Sequence, residues 1–133
     1  MRTRATGFLI ALLLLAGCGS TSSLDSAADR LDRTAHRFYD QVSYGGVGAH
    51  TSDDAARLAE ATRAFNRAVD HNRSRDEIRP SFDRVANRYH HLRRQVEDRD
   101  PRYGGAGVAF DRLTDAYLDV DRAMNHSGSA YRD

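Results

Sequence analysis

Residues 28–42 read ADRLDRTAHRFYDQV, and residues 82–96 read FDRVANRYHHLRRQV, so one pattern occurs twice in the chain. The two stretches share an Asp-Arg pair, a His and a final Gln-Val at equivalent positions. In both, apolar residues recur at steps of three and four, which is the period of a helix with one buried face. The two stretches therefore predict a pair of equivalent amphipathic helices.

The repetition continues on the C-terminal side of both stretches. Residues 44–48 read YGGVG and residues 103–107 read YGGAG. Each of these is followed by a segment that begins with Arg-Leu and ends with His, residues 57–71 and residues 112–126. The order helix, YGGxG loop, helix thus occurs at about 24–72 and again at about 75–127, which predicts a duplicated helical hairpin.

Four apolar stripes predict an all-α fold, an up-down-up-down four-helix bundle over residues 24–128 with a tail at 129–133. The link between the hairpins, at residues 72–74, is so short that the second and third helices must be antiparallel. The predicted core of the first and third helices is Leu24, Ala28, Leu31, Ala35, Phe38 and Val42, with Ile78, Phe82, Val85, Tyr89, Leu92 and Val96. That of the second and fourth is Leu58, Ala61, Phe65, Ala68 and Val69, with Leu113, Ala116, Tyr117, Val120, Ala123 and Met124.

Residues typical of helix ends divide these segments. Ser23 is the predicted N-cap of the first helix and Gly45 its left-handed stop. Residues 51–54, TSDD, are the predicted caps of the second helix, and residues 74–77, SRDE, form a capping box for the third. Pro80 predicts either a kink in the third helix or its first turn.

The N-terminus carries a targeting pattern. Arg2 and Arg4 precede an apolar run from residue 8 to residue 16, which is shorter than the roughly 20 residues that span a bilayer. Leu15-Ala16-Gly17-Cys18 follows and resembles the lipobox of bacterial lipoprotein precursors. The resemblance implies that residues 1–17 are a cleaved signal peptide.

The same resemblance implies covalent lipid on Cys18, a diacylglycerol thioether together with an acyl group on the new amine. Two or three acyl chains hold a protein stably at a membrane. Residues 18–23 would then be the lipidated end and a short linker. Position 19 is Gly rather than the Asp that retains lipoproteins at the inner membrane, so the pattern is similar to that of outer-membrane lipoproteins facing the periplasm.

Composition and motifs exclude several functional classes. The 20 basic residues, all Arg, balance 19 acidic ones, which argues against a nucleic-acid partner. A single Cys excludes an internal disulfide or a thiolate metal cage. The sequence has no GxSxG, HExxH, P-loop or CxxCH motif, and lipidation consumes Cys18. We therefore predict a non-catalytic protein without a cofactor other than the lipid.

The YGGxG loops are the predicted contact site. With the anchor ahead of the first helix, both loops lie at the membrane-distal end of the bundle, where they would meet an envelope protein or peptidoglycan. The candidate contact residues are Tyr44, Gly45, Gly46, Tyr103, Gly104 and Gly105. The alternative is structural: the tyrosines close the last helical turns, and the glycines permit the reversal.

A second hypothesis is a small-ligand or metal-binding sensor bundle that uses His and Asp on the helix flanks. Asp32 and His36 are four residues apart and could share an ion, but helical rise separates His36 from His71 by about 15 Å along their hairpin. Solvated surface histidines are the simpler interpretation. The use of Arg without Lys, and the basic run at residues 90–94, indicate either recognition of phosphate, carboxylate or anionic glycan, or merely base composition and a solvated face.

Overall fold

The computed structural model describes residues 21–71, 73–97 and 104–126, and within these ranges all regular structure is helical. The helices are α1 (Thr21–Tyr44), α2 (Ala49–Asp70), α3 (Arg75–Glu97) and α4 (Gly104–His126). The predicted all-α class is confirmed. Among the residues described, no helix combines the length and apolarity needed to cross a bilayer.

The helices form an antiparallel bundle, as predicted. Side-chain contacts between each pair of neighbouring helices run in opposite chain order, which fixes the direction of each helix against the next. The contacts are Ser43–Ser52 and Asp32–Thr62 for α1 and α2, Phe38–Phe110 and Arg30–Asp119 for α1 and α4, Asp54–Gln95 and Phe65–Phe82 for α2 and α3, and Phe82–Tyr117 and Tyr89–Phe110 for α3 and α4.

The core follows the predicted stripes most closely in α1 and α3. All six predicted residues of α1 are buried, and so are five of α3, with Val96 partly buried. In α2 and α4 the buried face is longer than predicted, because each of these helices begins earlier than its stripe suggested, and within the stripe of α2 it is also broader. The additional buried residues are Thr51, Asp54, Ala55, Ala59, Thr62, Ala106, Ala109 and Phe110, whereas Ala61, Ala68 and Ala123 are only partly buried.

The two helices of the first hairpin and the two helices of the second hairpin are held together by different kinds of side chain. The backbones of α1 and α2 approach closely, where Ala35 and Thr62 are buried. The equivalent positions of the second hairpin are Tyr89 and Tyr117, whose rings stack with centroids 4.0 Å apart. Because these large rings occupy the space between them, α3 and α4 meet mainly through side chains.

At the helix N-termini, two predicted caps are wrong, one of the two interpretations of Pro80 is excluded, and one predicted start is confirmed. α1 begins at Thr21, so Ser23 lies inside the helix. The helix therefore overlaps the last three residues of the predicted linker, 18–23. Residues 51–54 lie inside α2, whose N-cap is Gly48 with no side-chain cap bond. The third helix does not begin at Pro80, since α3 begins at Arg75.

The confirmed end is the capping box of α3. The Ser74 amide donates to a Glu77 carboxylate oxygen at 2.9 Å, the Ser74 hydroxyl donates to the same oxygen at 3.1 Å, and the Glu77 amide reaches the Ser74 hydroxyl at 3.4 Å. These bonds, the one from the Ser74 amide above all, lower the pKa of Glu77. The box thus occupies backbone donors that the first helical turn leaves without partners.

Candidate functional site

The turn between α1 and α2 defines one end of the bundle, which we call the tip. It contains the C-termini of α1 and α3 and the N-termini of α2 and α4. Residues 45–48 make the whole reversal. The Gly46 backbone has φ 68° and Gly48 has φ 81°, values in the region that favours glycine.

Gly45 has a different role from the one predicted. Its amide donates to the Gln41 carbonyl at 2.9 Å and so continues the helical hydrogen bonding of α1. A Cβ at this position would lie 2.7 Å from the Gln41 oxygen, closer than side chains tolerate. The left-handed stop is therefore Gly46, one residue later. Glycine is needed at position 45 because the backbone there passes close to the Gln41 carbonyl oxygen.

Tyr44 is the last residue of α1, and its side chain is 91% exposed. Such an exposed ring makes few contacts with the helix. Its exposure therefore does not support the purely structural interpretation, in which Tyr44 closes the last helical turn. Val108, which is 54% exposed, lies in the second turn of α4 at the same end of the bundle. The tip therefore presents apolar side chains to solvent.

The second YGGxG copy is not equivalent to the first. Gly104 and Gly105 form the first turn of α4 rather than a loop, and Gly107 is also helical. The connection between α3 and α4, residues 98–103, is longer than the four-residue turn between α1 and α2. Tyr103 lies outside the described residues, and so does Cys18.

Both ring nitrogens of His36 in the first hairpin have a hydrogen-bond partner. The Nε2 atom of His36 lies 2.6 Å from a nitrogen of the Arg63 guanidinium, which can only donate. Nε2 must then accept, and Nδ1 carries the proton, which it donates to the Asp32 carbonyl at 2.8 Å. The Asp32 carboxylate accepts in turn from the Thr62 hydroxyl at 3.1 Å. Asp32 and His36 are thus already engaged with one another and with α2.

Two other described histidines also have partners within the bundle. His90 lies 3.3 Å from the Tyr117 hydroxyl, and Nδ1 of His71 lies 2.6 Å from the Arg67 carbonyl. In the ranges that the structure covers, no three His, Cys, Asp or Glu side chains gather as metal ligands would. The side chain of His126 lies outside those ranges.

A polar cluster near the tip was not predicted. The carboxylate of Asp54 is nearly buried; it accepts from the Gln95 amide at 2.7 Å and lies 3.3 Å from Nε2 of His91. Four-residue spacing places Asp54 on the same face as Leu58 and Thr62, which was the signal available in the sequence. Its interpretation as a helix cap concealed that signal.

An aromatic recess of about 670 Å³ lies between α3 and α4. Tyr89, Phe110, Tyr117 and the exposed side of Leu118 line it, with Asp121 at its edge. Burial raises the pKa of Tyr117 to about 12, with further contributions from the nearby Asp121 carboxylate and from Tyr89. Tyr117 therefore stays a neutral phenol over the physiological range.

Comparison with known proteins found no match to the chain among protein-family models, curated proteins or solved structures. In the described part of the chain, the tip combines one exposed aromatic side chain, that of Tyr44, with a turn that contains two glycines of positive φ.

Proposed function

We propose that this chain is a membrane-anchored lipoprotein of the bacterial cell envelope with a non-catalytic interaction or structural role. The observation that carries the proposal is the 91% exposure of Tyr44 at the start of a turn built from glycines. The partner class is a periplasmic or envelope protein, or peptidoglycan. The predicted location is the outer membrane, facing the periplasm.

The tip has the properties of a contact surface. Tyrosine offers a large apolar ring and a hydroxyl at low entropic cost, and such residues dominate binding interfaces. Because Tyr44 is the last residue of α1, the helix holds its backbone at a defined position on the scaffold. Val108 at the same end of α4 extends the apolar area.

The anchor and the tip are well separated if Cys18 carries lipid. α1 begins only three residues after Cys18 and contains 24 residues. At the helical rise, α1 is roughly 36 Å long, so the tip would stand about that far from the lipidated end. This separation favours contact with a partner in the periplasm over contact with the bilayer.

The proposal includes no catalytic residue, no cofactor beyond the lipid on Cys18, and no nucleic-acid partner. The proposal is supported by the contacts of the polar side chains, because the side chains that catalysis or metal binding would require are engaged with other residues. Asp32, His36 and Asp54 are each bonded to other residues of the bundle. The near balance of Arg against acidic residues over the whole chain supports the exclusion of nucleic acid.

Anchoring is tested by Cys18→Ser. The variant should remain uncleaved or become soluble, and mass spectrometry of the wild-type N-terminus should find the acyl groups. Fractionation of Cys18→Ser with membranes as a processed chain would contradict the anchor.

The tip is tested by Tyr44→Ala combined with Tyr103→Ala, after crosslinking in intact cells. Adducts seen with the wild type should disappear while helical circular dichroism is unchanged. Leu118→Ala is the matched control, because Leu118 is an exposed apolar residue away from the tip. Unchanged adducts in the double variant would refute the tip as the contact site.

A further inference from the structure

A second recess, separate from the tip, runs along the outer face of α2 and α3. Its volume is about 660 Å³. The side chains of Ala61, Ala64 and Ser81 lie at intermediate exposure along its floor. Its walls are basic, and we call this recess the arginine groove. The basic residues that line it are Arg57 from α2 and Arg84, Arg88, His91 and Arg94 from α3.

The α3 wall of the arginine groove is a continuous stripe. Arg84, Arg88, His91 and Arg94 follow one another at steps of four, three and three, so they occupy one face of the helix. From Arg84 to Arg94 this stripe extends about 15 Å at the helical rise. Arg57 lies on the opposite wall, between the points where α2 meets α3 through Asp54 and through Phe65.

The guanidinium groups of the groove lack the carboxylate partners that some other described arginines have. Arg30 pairs with Asp119 and Arg33 pairs with Asp29. Over the described part of the chain, by contrast, the four arginines of the groove form no ion pair and no side-chain hydrogen bond. Glu60 is the one carboxylate among the residues that line it. Four positive charges against one negative, in a chain of formal net charge +1, make the groove an electropositive recess.

We propose that the arginine groove binds a soluble anion that carries two or more phosphate groups. A guanidinium binds phosphate through two parallel hydrogen bonds, and each such bond is strengthened by charge. Arg84, Arg88 and Arg94 are about 6 Å and a further 9 Å apart along the helix, which suits successive phosphates rather than a single one. A concave recess with a small-residue floor fits a discrete ligand, whereas a bilayer would meet a flat or convex basic face.

Calorimetry of the full chain in neutral detergent, with tripolyphosphate as the probe, tests the proposal. The wild type should bind the probe with an affinity that falls as salt is raised. Arg84→Gln with Arg88→Gln should weaken binding about tenfold or more, which corresponds to the loss of one charge-assisted bond or more. The matched control is Arg37→Gln with Arg112→Gln, which removes the same charge from exposed positions on α1 and α4; its affinity should stay within about twofold of the wild type.

Four results would overturn the proposal. The first is an absence of tripolyphosphate binding to the wild type, and the second is equal weakening in both double variants. The third is equally tight binding of citrate, which would assign the groove to carboxylates. The fourth is equally tight binding of monomeric dihexanoylphosphatidylglycerol, which would assign it to lipid headgroups. Because the groove includes none of the proposed contact residues of the tip, such as Tyr44 and Val108, failure here leaves the function proposed for the tip unaffected.

Discussion

The ring of Tyr89 stacks on the ring of Tyr117 at 4.0 Å, while the Tyr89 hydroxyl donates to the Thr114 hydroxyl at 3.1 Å. At the equivalent positions of the first hairpin the chain has Ala35 and Thr62. The two helices of the first hairpin therefore pack by close approach of their backbones, whereas those of the second hairpin pack through stacked rings. This difference predicts where the bundle is sensitive to substitution.

Truncation of the stacked ring should destabilise the bundle strongly. Tyr89→Ala removes a fully buried aromatic side chain, so we expect the free energy of unfolding to fall by about 3–5 kcal/mol. Tyr89→Phe keeps the ring and loses only the bond to Thr114, which should cost about 1 kcal/mol. Urea unfolding followed by circular dichroism measures both. Equal losses in the two variants would show that the hydroxyl, not the stacking, holds the second hairpin.

Alkaline pH should weaken the fold through Tyr117. Its pKa is raised to about 12 in the folded state from an ordinary value of 10.0, so the unfolded chain releases this proton first. The contribution of the neutral phenol is fully present below pH 10 and is lost as the pH rises from 10 to about 12. The melting temperature of the wild type should therefore fall more steeply over this interval than that of Tyr117→Phe. Identical slopes would contradict the assignment.

The two YGGxG copies should respond oppositely to alanine. Gly46→Ala places a side chain at φ 68° and should cost about 1 kcal/mol of stability. Gly107→Ala introduces a Cβ with no atom within 4 Å into α4, where the helical propensity of alanine should add roughly 0.5–1 kcal/mol. Thermal unfolding of both variants provides the comparison. Destabilisation by Gly107→Ala would mean that the second copy also forms a turn.

Acid should remove the contribution of the α3 capping box. The bonds from Ser74 lower the pKa of Glu77, so its stabilising effect is present above the unfolded value of 4.5 and is lost as the pH falls through the lower folded value. Glu77→Ala should thus lower the melting temperature at neutral pH and match the wild type in strong acid. A difference of the same size at both pH values would indicate that the carboxylate charge is not involved.

Local patterns in the sequence predicted the parts of the fold that depend on neighbours along the chain. The stripes of α1 and α3 and the box at Ser74 are set by spacings of three and four residues. The start of α4 could not be predicted this way, because Gly104 and Gly105 are weak helix formers. Packing of the first turns of α4, including Phe110, against α1 favours their helical state.

Features that depend on two segments far apart in the chain could not be predicted from the sequence either. The hydrogen bond that Asp54 accepts from Gln95 could not be predicted by spacing, because the two residues lie 41 positions apart. The arginine groove exists only because α2 and α3 are adjacent, although the repeated use of Arg was visible. Lipidation of Cys18 and the contact role of Tyr103 stay predictions, since both residues lie outside the described ranges.

The most direct test of the account is photocrosslinking in living cells from a probe placed at position 44. The control probe is placed at Arg67, an exposed position on α2 toward the opposite end of the bundle. We expect a discrete adduct from position 44 that position 67 does not give, with mass spectrometry identifying an envelope protein or a peptidoglycan fragment. The absence of any adduct from position 44, or the same adducts from both positions, would contradict the claim that the tip is the contact surface.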